Sequence, residues 1–194
     1  MVIDSMTNLK TTIRTNAKRM RAGAKEMLGV KAAEDATSHG MQLLESLDRS
    51  NIIGAYWPIH DELDPRFLMQ QLEKEGFSLA LPEVIARDKA LVFRRWGLGD
   101  DLVPGMFGTE QPAGDAPVVV PDVLIVPLLA FDADCYRLGY GAGHYDRTLA
   151  AHPHVKAFGF AYGAQFVEDV AKETHDWPLQ AVITETGTVL PRVK

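Results

Sequence analysis

Apolar positions at helical spacing mark the first part of the chain. Over residues 9–27 the apolar side chains recur every three or four residues, as on the buried side of an α-helix. A second helix is predicted over residues 31–47, after Gly29. The apolar positions of the first helix are Ile13, Ala17, Met20, Ala24 and Met27.

After residue 50 the pattern changes to short apolar runs separated by helical stretches. Asp64-Pro65 predicts a helix start, with a capping carboxylate followed by proline at the first helical position, and Gly76 predicts its end. Residues 97–121 are rich in Gly, Pro and Asp and predict a long irregular segment. The predicted strands are 51–57, 77–81, 91–96, 123–126, 156–161 and 181–184.

The alternation of strands and helices predicts the fold class. It indicates an α/β protein with an open, mainly parallel sheet and helices on both faces, a Rossmann-like three-layer arrangement. The length of 194 residues fits one domain over residues 1–194. In open α/β sheets the ligand cleft lies at the carboxyl ends of the strands, so we expect the site there.

Composition narrows the class of protein. Apolar residues make up 46% and charged residues 24%, as in soluble globular domains. No apolar run approaches the length of a membrane span and the opening residues lack signal-peptide features, so we expect a cytoplasmic protein without a membrane partner. The single cysteine, Cys135, cannot form an internal disulfide. The net charge of −6 argues against a general nucleic-acid binder.

A stripe of basic residues runs along the first predicted helix. Its members recur every three or four residues and therefore share one helix face. Such a stripe is either a solvated face or a site for an anionic ligand, and this segment alone leaves both open. The members of this cationic stripe are Lys10, Arg14, Lys18, Arg21 and Lys25.

A glycine-rich segment follows the buried strand at 123–126. Gly139, Gly141 and Gly143 precede a helix predicted to begin near His144. Glycine lets the backbone approach a ligand closely, and the N–H groups at the start of the next helix attract negative charge. The segment therefore predicts a phosphate cradle or, alternatively, only a tight turn. It matches neither the GxxxxGK[ST] loop nor the GxGxxG fingerprint.

Two charged residues flank this glycine segment. Arg137 can fork onto a phosphate, and Asp146 can hold a magnesium ion beside it. The alternative for Asp146 is that it only stabilises the dipole of the helix in whose first turn it lies.

The order of these motifs resembles the 5-formyltetrahydrofolate cyclo-ligases, also called 5,10-methenyltetrahydrofolate synthetases. The most specific part is the family pattern P-G-L-A-F-D…R-L-G-x-G-x-G-Y-Y-D-R, matched here by residues 127–132 and 137–147. Further matches are the K-x-x-x-R opening at Lys10 and Arg14, the strand and E-x-D segment at 56–64, the aromatic-G-x-x-x-P loop at 107–112, and the H-D…T-E tail at His175-Asp176 and 183–185.

The resemblance implies an ATP- and Mg²⁺-dependent cyclisation of 5-formyltetrahydrofolate to 5,10-methenyltetrahydrofolate, with release of ADP and phosphate. It implies a small-molecule folate and ATP as partners, a monomer or weak homodimer, and a basic helix at 9–28 that packs on the nucleotide site. No enzymic nucleophile is required, because the formyl oxygen is activated by phosphorylation.

The resemblance also implies roles for individual residues. Arg137 and Tyr145 would be catalytic, and Asp146 would bind the metal. Folate would contact Tyr56, Glu62, Phe107 and Tyr145, with Glu62 accepting hydrogen bonds from the pterin. The residues implied for ATP are Lys10, Arg14, Arg137, Leu138, Gly139, Tyr140, Gly141, Ala142, Gly143, His144 and Tyr145.

Several positions depart from the family pattern. His144 replaces a usual tyrosine, Ala142 stands where a basic residue or glycine is frequent, and Cys135-Tyr136 replace a glycine-containing turn. Gln180 stands where the tail pattern has a carboxylate, which predicts weaker magnesium binding unless Asp176 and Glu185 compensate. The departures leave two alternatives open, a divergent paralogue acting on another formylated or folate-like compound and a non-catalytic folate- or nucleotide-binding regulator.

Overall fold

A computed structural model describes residues 2–174 and 176–192. His175, part of the H-D tail in the resemblance, lies outside the described residues, as do Met1, Val193 and Lys194. The helices are α1 (Val2–Leu44), α2 (Arg66–Lys74) and α3 (His144–Ala151). The strands are β1 (Ile52–Gly54), β2 (Ser78–Glu83), β3 (Val92–Arg95), β4 (Leu102–Pro104), β5 (Glu110–Pro112), β6 (Val118–Val119), β7 (Val123–Val126), β8 (Ala130–Phe131), β9 (Arg137–Leu138), β10 (Lys156–Phe160), β11 (Ala181–Thr184) and β12 (Gly187–Val189).

The main sheet has the strand order β12-β11-β10-β7-β1-β2-β3-β6. The five central strands, from β11 to β2, are parallel, and β12, β3 and β6 are antiparallel at the two edges. The chain steps from β1 to β2 in one direction and from β7 to β10 and β11 in the other. The carboxyl ends of β1 and β7 therefore flank a topological switch point, where sheets of this type bind ligands.

Helices cover both faces of the sheet, which confirms the predicted three-layer α/β class. On one face Ala33 of α1 and Leu68 of α2 pack with the strand residue Ile53. On the other face Leu149 of α3 packs with Leu124 and Val182. All of these side chains are buried, so burial of apolar surface on both sides holds the sheet in the middle of the domain.

Helix α1 consists of two arms that meet at Gly29, as the sequence predicts. Gly29 has a φ of 57° and a ψ of −146°, a conformation open to glycine and strained for other residues. The second arm packs on the sheet. In the first arm, Ala17 packs against Leu129 and Leu138, which belong to the segment that follows β7. The break at Gly29 thus carries the first arm to the carboxyl ends of the strands.

The structure departs from the sequence prediction in three places. The segment 97–121 is not irregular throughout, since it holds the β4–β5 hairpin and strand β6, which are too short to show alternation. Helix α2 begins at Arg66 with Pro65 as the N-cap residue, while Asp64 accepts the backbone N–H of Arg66 at 3.0 Å. The β8–β9 hairpin, which carries Arg137, and the edge strand β12 were not predicted. No helix among the described residues is long and apolar enough to cross a membrane.

Candidate functional site

The glycine loop, residues 139–143, connects β9 to α3. Gly141 has a φ of 100° and Gly143 a φ of 69°, values that explain the glycines at these two positions. Gly143 is the N-cap residue of α3, and no side chain among the described residues caps this helix. The N–H groups of the first helical turn are therefore available to an anionic ligand.

Arg14, Lys18 and Arg21 of the cationic stripe contact this loop. The Nε of Arg14 donates to the carbonyl oxygen of Gly139 at 3.0 Å, and its guanidinium lies against Gly141. The ammonium group of Lys18 lies 5.5 Å from the centre of the Tyr140 ring. The basic helix therefore folds back over the glycine loop, the placement that the predicted phosphate site requires.

Two further cations of the predicted phosphate site are held by carboxylates. The Nζ of Lys10 lies 3.3 Å from Glu173 and 3.5 Å from Asp176. The buried Arg137 donates to Asp146 at 2.5 Å and to the carbonyl oxygen of Trp177 at 2.7 Å. Burial lowers the pKa of Arg137, and the negative charges of Asp146 and Asp176 oppose that shift. Asp146 therefore compensates the buried charge of Arg137, a role that the sequence did not indicate.

The acidic residues do not form a complete metal site. No group of three or more His, Cys, Asp or Glu side chains within the described residues could hold a metal ion. A magnesium ion keeps several waters and binds through one or two carboxylates plus phosphate oxygens. Asp146, at the start of α3, could serve as one such carboxylate ligand. Its second oxygen accepts no hydrogen bond from the described residues.

A second half of the site surrounds Glu62, in the loop after β1. Glu62 is 6% exposed, and its Oε2 accepts the backbone N–H of Ile59 at 2.9 Å. Burial raises the pKa of Glu62 to about 7, while the Ile59 N–H and the positive charge of Arg21 act in the opposite direction. A carboxylate in this environment is an acceptor for N–H groups of a neutral heterocycle.

Two tyrosines lie within electrostatic range of Glu62. The hydroxyl of Tyr56 donates to the carbonyl oxygen of Leu63, which fixes the loop that carries Glu62. Tyr145, in the first turn of α3, has a pKa well above its ordinary value because of burial and the nearby charge of Glu62, and Arg137 opposes this shift. Tyr145 is thus a neutral hydroxyl between the Glu62 half and the Arg137 half of the site.

Phe107 lies at the rim next to the start of α3. Its side chain is 56% exposed, and its ring centre is 6.5 Å from that of His144. Phe107 has a φ of 59°, in the left-handed region, and its exposed ring is not part of the buried core. The structure therefore places Phe107 beside His144 at the start of α3, and Tyr145 in the same helical turn lies within electrostatic range of Glu62.

Gln180 lies elsewhere. Its backbone N–H donates to Ala157 near the start of β10, and its side chain is exposed. The parallel strands β10 and β11 begin at this edge and end at the opposite one. The expectation that Gln180 leaves a missing charge near the metal is therefore wrong, because the residue is at the amino-terminal edge of the sheet.

Sequence reasoning assigned no specific role to Arg21 or Tyr162 at the carboxyl edge, and it named Glu185 only as a possible replacement carboxylate. Arg21 of α1 donates to the Tyr140 hydroxyl at 2.6 Å and lies 3.8 Å from Glu62. Tyr162 follows β10, and burial raises its pKa to about 12. Glu185 follows β11 and accepts the N–H of Gly163 at 2.9 Å. The available signal was position: Arg21 shares the stripe with Arg14, and the other two directly follow parallel strands.

Comparison with known proteins identifies the family. A sequence model described as the 5-formyltetrahydrofolate cyclo-ligase family matches residues 6–185. The chain belongs to this family. Among curated relatives, the 5-formyltetrahydrofolate cyclo-ligase of Haemophilus influenzae is 32% identical over 181 residues, which cover 89% of this chain and 96% of the relative. The enzyme of the same name from Escherichia coli K12 is 35% identical over 142 residues, 70% of this chain and 78% of the relative.

Solved structures of cyclo-ligase relatives share the fold. The Aquifex aeolicus 5,10-methenyltetrahydrofolate synthetase has a TM-score of 0.76 at 29% identity, with 96% of this chain and 94% of that chain covered. The Mycoplasma pneumoniae 5,10-methenyltetrahydrofolate synthetase has a TM-score of 0.73 at 20% identity, with 91% of this chain and 98% of that chain covered. At this identity the match supports the shared fold only. These matches confirm the family resemblance and the α/β class.

Proposed function

We propose that this chain is a 5-formyltetrahydrofolate cyclo-ligase that converts 5-formyltetrahydrofolate and ATP to 5,10-methenyltetrahydrofolate, ADP and phosphate. One observation supports this above all. In a chain of this family, the cationic stripe of α1 lies against the glycine loop on one side and against buried Glu62 on the other. An anion cradle thus adjoins a recessed acceptor for a neutral heterocycle.

The reaction divides between these two halves. The formyl oxygen attacks the γ-phosphorus and ADP leaves, so the carbon acquires a phosphate leaving group. The N10 nitrogen of the folate then attacks that carbon, phosphate departs with the former formyl oxygen, and N10 loses its proton. The protein has to hold the two reactants in line and stabilise spreading negative charge.

The ATP half consists of the glycine loop and the cations around it. The N–H groups of the loop and of the first turn of α3 would hold phosphate oxygens, and Arg14 and Lys10 would neutralise their charge. Arg137, held by Asp146, would face the transferred phosphoryl group. Leu138, the loop residues Tyr140 and Ala142, and His144 at the start of α3 would form the walls of the cradle.

The folate half consists of the Glu62 loop and the aromatic residues beside it. Glu62 would accept N–H groups of the pterin, and Tyr56 would keep its loop in place. Phe107 at the rim would cover the folate by ring contact. Tyr145, which belongs to both halves, would donate its hydroxyl proton in a hydrogen bond to the reacting formyl group.

Magnesium fits the ATP half as a partner of Asp146. Bound there with phosphate oxygens and water, the ion would supply charge neutralisation at the phosphates. Asp146 would then serve both the ion and Arg137, whose guanidinium it contacts in this structure.

Absorbance of the methenyl product tests the proposal. The protein is mixed with Mg-ATP and 5-formyltetrahydrofolate, and we expect the methenyl chromophore to grow only when nucleotide is present. Binding of both ligands without chromophore growth would favour the regulator alternative.

A further inference from the structure

Arg21 is a buried cation whose hydrogen-bonding capacity is only partly used. The residue is 2% exposed, although arginine is rarely buried without partners. Its Nη2 donates to the hydroxyl of Tyr140 at 2.6 Å. Its Nε and Nη1 have no hydrogen-bond partner within the described residues. Leaving such donors unsatisfied in the interior is costly.

The unsatisfied side of Arg21 faces Glu62. Nη1 lies 3.8 Å from Glu62 Oε1, within ion-pair range but beyond hydrogen-bond range. Oε2 of Glu62 already accepts from Ile59, whereas Oε1 accepts no hydrogen bond from the described residues. Arg21 therefore supplies positive charge to Glu62 without occupying the free acceptor oxygen.

The other side of Arg21 reaches the glycine loop. Tyr140 lies between Gly139 and Gly141, and the Arg21 guanidinium lies 5.5 Å from the centre of its ring in addition to bonding its hydroxyl. A shift of the loop on ligand binding would therefore move a group bonded to Arg21. The same guanidinium thus contacts a loop assigned to ATP and a carboxylate assigned to folate.

We propose that Arg21 is a positioning residue that couples the two halves of the site, holding Tyr140 of the glycine loop with one nitrogen and placing positive charge beside the open Oε1 of Glu62 with another. This inference rests on the proposed assignment of the glycine loop to ATP and of Glu62 to folate. It predicts that each ligand strengthens binding of the other, because both settle the position of one guanidinium.

Other charged or titratable groups surround Glu62 and have to be separated from Arg21 in a test. Lys25 of α1 contacts the same loop from the rim, donating to the His60 carbonyl oxygen at 2.6 Å. The groups are Lys25 from α1, Tyr56, His60, Asp61 and Asp64 from the loop of Glu62 itself, Tyr140 from the glycine loop, Tyr145 from α3, and Tyr162 after β10.

Three substitutions divide the functions of Arg21. Arg21→Met removes the positive charge and all hydrogen-bond donors of the side chain. Arg21→Lys keeps the charge but lacks the planar guanidinium with its several donors. Tyr140→Phe removes only the hydroxyl that accepts from Arg21. The affinity for a non-hydrolysable ATP analogue is measured with and without 5-formyltetrahydrofolate, and the folate affinity with and without the analogue. We expect mutual strengthening of roughly fivefold or more in the unaltered protein, lost in Arg21→Met and in Tyr140→Phe. Tyr140→Phe should keep its folate affinity when nucleotide is absent.

The pH dependence of folate binding separates a positioning role from a structural one. Folate affinity should rise with pH through about 7 as Glu62 ionises. Arg21→Met should move that rise to higher pH because the cation that opposes protonation is gone, whereas Arg21→Lys should stay near the original profile. A residue that merely supports the fold would lower the melting temperature without moving the profile. Glu62→Gln should flatten the rise, which distinguishes Glu62 from His60.

Lys25→Met is the matched control, since it removes a cation of the same helix that contacts the same loop at an exposed position. It should leave both the coupling and the pH profile unchanged. A folded Arg21→Met with intact coupling and an unshifted profile would overturn the proposal alone. If Arg21→Met does not fold, a folded Tyr140→Phe decides, and intact coupling in that variant would overturn the proposal. An unaltered protein that neither binds folate nor forms the methenyl product would overturn the proposed function, and this proposal with it.

Discussion

At Glu62, burial and nearby positive charge act on one carboxyl in opposite directions. Burial prevails and raises its pKa from 4.5 to about 7. Between these two values the folded protein binds more protons at this position than the unfolded chain does, so the contribution of Glu62 lowers stability as pH rises through that range. Below pH 4.5 both states are protonated and the contribution is absent.

Glu62→Gln should therefore stabilise the protein at alkaline pH. A neutral amide avoids the cost of burying the charge, and its oxygen can still accept from Ile59. Relative to the unaltered protein, the free energy of unfolding should rise by roughly 3 kcal/mol at pH 8 and change little at pH 4. Denaturant titrations at the two pH values measure it, with the exposed Glu45→Gln as a control. An equal effect at both pH values would contradict the account.

Phe107→Ala should separate folate binding from ATP binding. The ring is exposed at the rim, so its loss should change the free energy of unfolding by less than about 0.5 kcal/mol. The KM for folate should rise about tenfold as contact area is lost, with the KM for ATP unchanged. Steady-state kinetics measure both, and Val103→Ala in the same hairpin is the control. A parallel rise in both KM values would show that Phe107 is not specific to the folate half.

The site residues that could be predicted from sequence are those that stand in a recognisable sequence motif. Arg14 stands in a K-x-x-x-R opening and Glu62 in an E-x-D segment, so the family pattern indicates both. Arg21 lies in the same stripe, but its burial depends on where Tyr140 and Glu62 arrive in space. The burial of Arg21 depends on tertiary structure, because helical spacing alone is equally consistent with a solvated helix face.

Among the elements, the glycine loop depends on positive φ angles at Gly141 and Gly143, which are strained for residues other than glycine. Gly143→Ala places a β-carbon at a φ of 69° and 2.8 Å from Arg147, whose guanidinium holds the Ala142 carbonyl oxygen. We expect a loss of about 1–2 kcal/mol in stability and roughly tenfold weaker ATP binding, because the loop carbonyls and N–H groups shift together. Calorimetric titration with the ATP analogue measures the affinity.

Gly114→Ala is the control for the loop. Gly114 has ordinary φ and open space around its Cα, so its replacement should change neither stability nor ATP affinity appreciably. If Gly143→Ala binds ATP as well as the control does, the loop does not cradle phosphate.

The position of Gln180 before strand β11 gives a further prediction. It lies at the amino-terminal edge of the sheet, and the glycine loop follows strands at the other edge. Gln180→Asp should therefore leave the magnesium concentration for half-maximal activity unchanged, while Asp146→Asn should raise it. A lower magnesium requirement in Gln180→Asp would show that position 180 reaches the metal after all.

The elements themselves were predictable to different degrees. The central parallel strands follow from short apolar runs, and α1 with its break at Gly29 follows from helical periodicity and one glycine. The β4–β5 and β8–β9 hairpins did not follow, because two- and three-residue strands carry no alternation and are fixed by pairing with a partner. Arg137 lies on β9, one of these short strands. The family motif suggested its role, but no sequence pattern predicted its position.

In the whole molecule, the site is formed by segments that are distant in the chain. The reversal of strand order between β1 and β7 brings the Glu62 loop beside the glycine loop, and α1 crosses over both. Periodicity predicted the sheet and its ligand edge. It could not predict that Phe107 lies beside the start of α3 or that Tyr145 lies near Glu62, because both depend on which strands become neighbours.

The fate of the formyl oxygen tests the central claim most directly. The claim is that the two halves bring ATP to that oxygen, which leaves as part of phosphate. The protein is incubated with Mg-ATP and 5-formyltetrahydrofolate labelled with ¹⁸O in the formyl group, and the released phosphate is examined by mass spectrometry. The account predicts one ¹⁸O atom in each phosphate, with one phosphate for each methenyl product. Methenyl formation with unlabelled phosphate, or without phosphate release, would contradict it.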